Sequence, residues 1–287
     1  MNKETIENKN NFESKIKNNL NVLVCIPAYN AESTISQAVK CCQEFADLVL
    51  VINDGSSDNT ELLAREAGAE IVTHKQNRGY GGAIKTSLTE GLNRNAKVTI
   101  TFDADLQHDE HDIPKLTQSI FENYADIVIG SRFLENTGDV KRYRKFGIKV
   151  ITGLVNSFMQ SPVSDAESGL RGYSLDSLKQ LVPILETEGM GMSSEILLKS
   201  SVCKLKIVEV PRKGMYPEGI KTSSKNPLRY GLSVVFTIMK LIIENKPLKA
   251  FGIPSIGFFI ASIISAVFVV DFYNSMGRLP LGLTVFT

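Results

Sequence analysis

Two acids separated by a single residue follow a short apolar run near the middle of the chain. The run Val98–Phe102 is apolar and β-branched and contains neither proline nor glycine, which predicts a buried strand. Asp103 and Asp105 come next, and Gln107 follows two residues later. Carboxylates at the end of a buried strand repel each other, and a divalent cation relieves that repulsion. We predict Asp103, Asp105 and Gln107 as oxygen ligands of Mg²⁺ or Mn²⁺, with positions left open for substrate phosphates.

The same acids have a plainer interpretation. A solvated turn whose acids cap the next helix would show the same spacing, and the D-x-D pattern alone does not choose between the two. His108 and His111 flank further acids in the stretch HDEHD. That stretch fits a solvated loop or a second metal cluster, and we expect the solvated loop.

Strands alternate with helices over most of the chain, which predicts an α/β fold. The predicted strands are Asn21–Ile26, Leu48–Ile52, Ala69–Thr73, Val98–Phe102, Asp126–Ile129 and Lys206–Val210. The predicted helices are Ala31–Gln43, Asn59–Ala67, Ala83–Asn93, Ile113–Asn123, Lys145–Met159 and Met192–Ser201. The stretches His74–Gly82 and Asp165–Tyr173 are rich in glycine and polar residues and are predicted as loops. We expect a Rossmann-like, mostly parallel sheet with helices on both faces.

Polar residues mark the predicted strand ends. In sheets of this kind, ligands bind outside the carboxyl ends of the strands. The residues found there are Tyr29, Asn30 and Glu32 after the first strand, Asp54 after the second, Asp103 and Asp105 after the fourth, and Arg132 after the fifth. Several strand ends converging on one rim predict a binding site better than any single motif does.

The C-terminal part has a different composition. In Leu228–Glu244, apolar residues share one helical face and polar residues the other, which predicts an amphipathic helix in a membrane interface or packed on the domain. Ala250–Val270 contains no charged residue and is long enough to cross ~30 Å of hydrocarbon. Lys246 and Lys249 precede it, so the positive-inside rule places the N-terminal domain in the cytoplasm. We expect Leu279–Thr287 to begin a second span.

These patterns divide the chain of 287 residues. We predict a flexible tail over 1–20, a cytoplasmic catalytic domain over 21–225, a juxtamembrane amphipathic helix over 226–248 and a transmembrane region over 249–287. The 32 Lys and Arg residues nearly balance the 31 Asp and Glu residues, so charge does not favour nucleic acid as a partner. The basic stretch Lys141–Lys149 is the local exception, and it suits anionic lipid.

Taken in order, the motifs resemble a known family. The chain resembles the family 2 glycosyltransferases of GT-A fold, of the dolichyl-phosphate mannose or glucose synthase type. The matching segments are IPAYNAE (Ile26–Glu32), NDGSSDNT (Asn53–Thr60), NRGYGGA (Asn77–Ala83), DADLQH (Asp103–His108), GSR (Gly130–Arg132), DAESGLRGY (Asp165–Tyr173) and SSK (Ser223–Lys225).

The resemblance implies a reaction and its partners. The expected reaction is inverting transfer of a hexose or N-acetylhexosamine from a GDP- or UDP-linked sugar to a polyprenyl (dolichyl) phosphate in the membrane. A phosphate monoester is mostly a dianion at neutral pH, because its second pKa is about 6, so it needs cations to place it more than it needs a base. The two predicted spans leave room for assembly into a homo-oligomer.

The resemblance also implies roles for individual residues. Those expected to contact the nucleotide are Pro27, Tyr29, Glu32, Ile52 and Asp54. Those expected at the metal and diphosphate are Asp103, Ala104, Asp105 and Gln107. Arg132 resembles a ligand of the acceptor phosphate, and a mobile basic loop resembles a lid. The basic candidates in and beside that loop are Arg212, Lys213, Lys221 and Lys225, of which we favour Lys225.

Three other functions compete with this one. A dinucleotide-binding oxidoreductase needs G-x-G-x-x-G after the first strand, where this chain has PAYNAE. A processive polysaccharide synthase carries a Q-x-x-R-W motif, and the chain contains no tryptophan. A non-catalytic, membrane-anchored protein that binds nucleotide sugars has no need of the intact DADLQ and GSR motifs.

Overall fold

The computed structural model describes residues 20–134, 142–213, 227–245 and 247–276. The chain divides into two compact units, Met1–Ile238 and Met239–Thr287. In the first unit, the described residues form one seven-stranded sheet with helices around it. In the second unit, they are helical.

The sheet is mostly parallel, as predicted. Its strands are β1 (Val22–Ala28), β2 (Leu48–Asn53), β3 (Glu70–Thr73), β4 (Val98–Thr101), β5 (Ile127–Ser131), β6 (Arg171–Ser174) and β7 (Ile207–Pro211). They are ordered β3-β2-β1-β4-β6-β5-β7. Strand β6 runs antiparallel to β4 and β5, and the other neighbouring pairs are parallel.

Helices cover both faces of the sheet. The α-helices of the described residues are α1 (Ile35–Cys42), α2 (Thr60–Glu66), α3 (Gly79–Asn93), α4 (Ile113–Phe121), α5 (Arg142–Asn156), α6 (Leu175–Leu181), α7 (Met192–Val202), α8 (Pro227–Asn245) and, in the second unit, α9 (Pro247–Met276). Side chains of β1 alternate between the two faces, as the period of two in a strand requires. Val24 and Ile26 pack in one core with Ile35 of α1, and Leu23 and Cys25 pack in a second core with Ala83 of α3.

Helix α3 begins four residues before its predicted start at Ala83. Its first N–H groups have a partner outside the helix: the Asp54 carboxylate accepts from the backbone N–H of Arg78 and of Gly79, each at 2.8 Å. An acid at the N-terminus of a helix satisfies unpaired N–H groups and favours the helix dipole. The cap comes from the end of β2, so no local pattern indicated it, and the prediction of a loop over His74–Gly82 was wrong from Gly79 onward.

The loop predicted over Asp165–Tyr173 ends in strand β6, which the sequence did not indicate. Arg171 and Tyr173 are buried, and Gly172 lets the strand approach the side chains of Ile100 and Ile120. The antiparallel direction has a consequence for function. Arg171 pairs in register with Thr101 of β4 and Ile129 of β5, so β6 starts where its neighbours end. The segment 165–170 therefore enters the sheet at the same rim as Asp103 and Arg132.

Helix α8 crosses the division between the two units. In its first-unit part, Val234 and Ile238 are buried, while Phe236 is 73% exposed. A Cβ added to Gly191 would lie 2.5 Å from Thr237, so the helix packs closely on the segment before α7. One apolar edge of this amphipathic helix thus packs on the domain, and its placement in a membrane interface stays a prediction.

In the second unit, α9 contains a candidate membrane span. Pro254–Ser275 is 22 residues long and apolar enough to cross a bilayer, and its side chains are not buried within the protein. The helix continues through Asp271 to Met276, beyond the predicted end of the span at Val270.

Candidate active site

The acid pair follows β4 at the carboxyl edge of the sheet. Phe102 is fully buried, and Asp103, Ala104 and Asp105 come directly after it. Leu106 has a left-handed φ of 58°, which turns the chain back so that the Gln107 N–H donates to Asp105 Oδ1 at 3.1 Å. A non-glycine residue in that conformation costs about 1–2 kcal/mol, and such strain is concentrated at functional sites.

The pKa values of Asp103 and Asp105 are shifted in opposite directions. Burial raises the pKa of the Asp103 carboxyl, but the hydrogen bond from His108 and the positive charges of Arg212 and Arg132 bring that pKa below its ordinary value. The pKa of Asp105 is raised, first by burial and then by the charge of Asp103. The two carboxylates therefore repel each other, and the protein alone does not relieve that repulsion.

His108 is buried and belongs to the site, so the expectation of a solvated loop was wrong for this residue. Its ring packs edge-on against Phe102, with the centroids 5.2 Å apart. Nη1 of Arg212 lies 2.7 Å from His108 Nδ1, and His108 Nε2 lies 2.8 Å from Asp103 Oδ2. A guanidinium can only donate, so Nδ1 accepts and the Nε2–H donates to Asp103. Arg212, also buried, thereby fixes the ring that orients the Asp103 carboxylate.

The other histidine of HDEHD faces outward. His111 Nδ1 lies 2.9 Å from Asp109 Oδ1. Asp109, Glu110 and His111 form a group close enough to hold a metal ion, although His111 is exposed. The two histidines of HDEHD thus have different environments, since His108 is buried at the rim and His111 is exposed.

Arg132, at the end of β5, is held by a buried carboxylate. Its Nε and Nη2 donate to the two oxygens of Asp165, each at 2.7 Å, and its backbone N–H donates to Oδ2 at 3.2 Å. Burial raises the pKa of Asp165, but the hydrogen bonds and charge of Arg132 outweigh it and the pKa is lowered. A bidentate pair of this kind sets the plane of the guanidinium. Arg132 also contributes to lowering the pKa of Asp103, so both lie in one electrostatic field.

The segment before β6 connects these groups. Ser168 Oγ donates to the Gly130 carbonyl oxygen at 2.6 Å. Arg171 is buried and donates to the carbonyl oxygens of Ala166, Ser168 and Ser193 at 2.7, 2.9 and 3.0 Å. A Cβ added to Gly169 would lie 2.3 Å from Asp103 Oδ2, so only glycine permits this approach. The segment thereby bounds the acid pair.

The residues predicted to contact the nucleotide fall into two groups. Tyr29 is 53% exposed, and the Glu32 carboxylate accepts from Asn59 through the backbone N–H at 3.2 Å and the side-chain amide at 3.3 Å. Ile52, Asp54 and Ala104 are buried, and both carboxylate oxygens of Asp54 hold the start of α3. Tyr29 and Glu32 are thus accessible, whereas the buried Asp54 stabilises the start of α3.

The loops after β1 and β2 are cross-linked at this end of the sheet. Asn30 has a left-handed φ of 50°, and its Oδ1 accepts from the Ser57 N–H at 2.9 Å. Ser56 Oγ accepts from the Asn30 N–H at 3.0 Å. Pro27 is half-buried in β1, next to these links. The two loops form one connected wall beside Tyr29. Lys225 lies outside the described residues.

A comparison with protein-family models identifies the family of this chain. The family described as Glycosyl transferase family 2 matches residues 23–182, more than half of the chain, and the match includes the loops after β1, β2, β4 and β5. The chain belongs to glycosyltransferase family 2. This protein is therefore a glycosyltransferase, as the resemblance implied.

Two relatives are similar to this chain in sequence, and a solved structure is similar to it in fold. An uncharacterized protein of Methanocaldococcus jannaschii is 34% identical over 247 residues, covering 84% of this chain and 98% of that one. The UDP-N-acetylglucosamine–dolichyl-phosphate N-acetylglucosaminyltransferase of Methanococcus voltae is 31% identical over 243 residues, covering 77% of this chain and 95% of that one. Glucosyl-3-phosphoglycerate synthase of Mycobacterium tuberculosis, solved with Mg²⁺ and UDP, aligns with a TM-score of 0.61 at 19% identity. It covers 79% of this chain and 80% of that one, and it shares the predicted GT-A fold.

We expect Gly169→Ala to slow the glycosyltransferase about tenfold to a hundredfold, because the new methyl group would displace the Asp103 carboxylate. Overpacking of this kind also costs about 1–3 kcal/mol of stability. The control is Gly153→Ala, since a Cβ at Gly153 meets no atom within 4 Å. Steady-state transfer rates and melting curves measure both effects. Wild-type activity in Gly169→Ala would show that Asp103 need not hold this position.

Proposed function

We propose that this glycosyltransferase moves a hexose or N-acetylhexosamine from a UDP- or GDP-linked sugar to a membrane polyprenyl phosphate such as dolichyl phosphate, with inversion at the anomeric carbon. The observation that carries the proposal is the pairing, at one rim, of two repelling carboxylates with an oriented arginine. Asp103 and Asp105 suit the diphosphate side of the reaction, and Arg132 suits an incoming phosphate. The relative from Methanococcus voltae, named for a dolichyl-phosphate acceptor, supports it.

The donor side fits a divalent cation. Asp103, Asp105 and Gln107 offer oxygen ligands, which Mg²⁺ and Mn²⁺ prefer. Burial and then the charge of Asp103 raise the pKa of Asp105, and a cation would offset both effects. These residues would hold the ion, which supplies positive charge against the diphosphate leaving group. Asp103 enters this set with Oδ2 already bonded to His108, so its orientation is fixed before the ion binds.

On the acceptor side, the nucleophile is itself a phosphate oxygen. The oxygen attacks the anomeric carbon, the bond from that carbon to the nucleoside diphosphate breaks, and the nucleoside diphosphate leaves. A phosphate dianion needs no strong general base, so the role left to the protein is to place it. Asp165 holds the guanidinium of Arg132 in one plane, and that preorganisation lowers the entropy cost of binding the acceptor.

The acceptor lipid implies a membrane location. A soluble donor and a lipid-bound phosphate meet at the bilayer surface, and the candidate span Pro254–Ser275 would hold the domain there. With Lys246 and Lys249 before the span, we place the catalytic domain on the cytoplasmic side.

We expect Arg132→Ala to lower transfer to polyprenyl phosphate about a hundredfold while donor affinity stays near that of the wild type. Removing the guanidinium leaves Asp165 buried without its partner, which is destabilising, so Arg132→Lys is the companion variant. Lysine keeps the charge but lacks the bidentate geometry, and we expect an intermediate loss. The control is Arg65→Ala, which breaks only an exposed pair on α2. If calorimetry shows donor affinity falling as steeply as transfer, Arg132 belongs to the donor site.

The test of the proposed function is a donor screen. Radiolabelled UDP-glucose, UDP-N-acetylglucosamine and GDP-mannose are each incubated with the enzyme, Mg²⁺ or Mn²⁺, and dolichyl or undecaprenyl phosphate, and lipid-soluble counts are measured. We expect one donor to label the lipid. No labelled lipid with any donor, despite measurable nucleotide binding, would favour a non-catalytic binding protein, and a labelled polymer would favour a processive synthase.

A further inference from the structure

Helix α5 exposes a row of apolar side chains that nothing in the described part of the protein covers. Tyr143 is 61% exposed, Phe146 72% and Val150 50%. Their spacing places them on one face of the helix, together with Gly147 and Gly153. A Cβ added at either glycine would meet no atom within 4 Å. We name Tyr143, Phe146 and Val150 the α5 stripe.

The opposite side of α5 fixes the orientation of the stripe. Ile148, Ile151, Thr152 and Val155 are buried against the domain. Thr152 Oγ1 also accepts from the Ala166 N–H at 3.2 Å, which anchors the helix to the segment that bounds the acid pair. The helix is therefore packed through one face, and its second apolar face points away from the domain.

The charged residues of α5 itself have a single sign. The sequence of α5, RYRKFGIKVITGLVN, contains no acid. Arg144 and Lys149 are exposed and Lys145 is half-buried. Lys145 Nζ lies 5.9 Å from the centre of the Phe133 ring, and the guanidinium of Arg132 lies 5.8 Å from the same ring. The basic start of α5 is thus separated from Arg132 by one aromatic side chain.

These features favour an anionic lipid bilayer over a protein as the partner of the α5 stripe. Three apolar side chains are few for a stable protein interface, which buries ~1,200 Å² or more in total. In a symmetric dimer the α5 stripe would face its own copy, with like charges opposed. An anionic bilayer attracts Lys and Arg and accepts aromatic and aliphatic side chains at the headgroup level. The same chain also carries a candidate membrane span.

We propose that the α5 stripe docks the catalytic domain on an anionic phospholipid surface, with Tyr143, Phe146 and Val150 at the headgroup level. The docking delivers the acceptor phosphate to Arg132, a part of the inference that rests on the proposed function. The basic residues attract the domain to the anionic leaflet, and the apolar side chains of the stripe insert among the headgroups. The helix is a lipid contact separate from the candidate span.

A tryptophan probe tests the contact directly, because the chain has no tryptophan of its own. Phe146→Trp is reconstituted as the full chain in vesicles of phosphatidylcholine and phosphatidylglycerol that contain brominated lipid. The matched control is Phe121→Trp on α4, where Phe121 is 46% exposed. We expect brominated lipid to quench the tryptophan at 146 and leave the one at 121 unquenched, and we expect quenching to weaken when phosphatidylglycerol is omitted. Equal quenching of the two, or none at 146, would overturn the proposal.

A second measurement separates this inference from the proposed function. Phe146→Glu should lower the ratio of transfer in vesicles to transfer in detergent about tenfold, because a charge replaces a large apolar side chain. Phe121→Glu should keep the wild-type ratio. Quenching at 146 without transfer to any lipid would contradict the proposed function and leave the contact standing. Transfer without quenching at 146 would contradict the contact and leave the function standing.

Discussion

Asp105→Asn is expected to reduce sugar transfer by about a hundredfold or more in Mg²⁺ or Mn²⁺. The substitution keeps the shape of the side chain and removes its charge, so the fold should persist. It also relieves the repulsion with Asp103, and the free energy of unfolding should not fall. Binding of Mn²⁺ with UDP or GDP, followed by electron paramagnetic resonance, should weaken in parallel with transfer.

The matched control for this variant is Asp109→Asn. Asp109 belongs to the group with Glu110 and the exposed His111, which could itself hold a metal ion. We expect Asp109→Asn to transfer sugar at the wild-type rate and to bind Mn²⁺ with wild-type affinity, and EDTA to abolish transfer by both enzymes. If Asp109→Asn loses activity and Asp105→Asn keeps it, the metal site has been assigned to the wrong acids.

His108→Phe is expected to weaken Mn²⁺ binding and transfer about tenfold to a hundredfold, although His108 is not itself a proposed ligand. Phenylalanine keeps the ring that packs on Phe102 and loses both hydrogen bonds, so Asp103 becomes free to rotate. His108→Gln should recover part of the loss, because its amide N–H can still donate to Asp103. Recovery by glutamine separates positioning of Asp103 from a general packing defect.

Two further variants locate this effect. Arg212→Met removes the donor that fixes the His108 ring, and we expect a loss in the same direction as in His108→Phe. His111→Gln changes the exposed histidine of the same stretch and should leave Mn²⁺ affinity unchanged. Wild-type Mn²⁺ affinity in both His108→Phe and Arg212→Met would contradict the positioning role.

The rim was predictable because its geometry follows from strand direction. Once the strands are parallel, their carboxyl ends share one edge, so Asp103, Asp105 and Arg132 had to lie at the same edge of the sheet. Helices α1 and α4 were predictable for a similar reason, since a local apolar period marks the face that packs on the sheet.

The features that sequence reasoning missed depend on contacts between distant segments. The start of α3 is set by Asp54, which lies at the end of β2. Strand β6 has four residues, one of them an arginine that is buried because three carbonyl oxygens accept from it. His108 lies among acids in the sequence, which indicated a solvated loop. In the structure, however, Arg212, which is distant in sequence, donates a hydrogen bond to Nδ1 of His108. No pattern within ten residues carries such information.

The measurement that tests the central claim most directly is mass spectrometry of the acceptor. The full-length enzyme is reconstituted with dolichyl phosphate, the donor chosen by the screen and Mg²⁺ or Mn²⁺, with 3-phosphoglycerate present as a soluble competing phosphate. We predict a lipid product heavier than dolichyl phosphate by one hexosyl or N-acetylhexosaminyl residue, formed in step with release of nucleoside diphosphate. Release of nucleoside diphosphate with the sugar found on 3-phosphoglycerate or in water, and the dolichyl phosphate unchanged, would contradict the account.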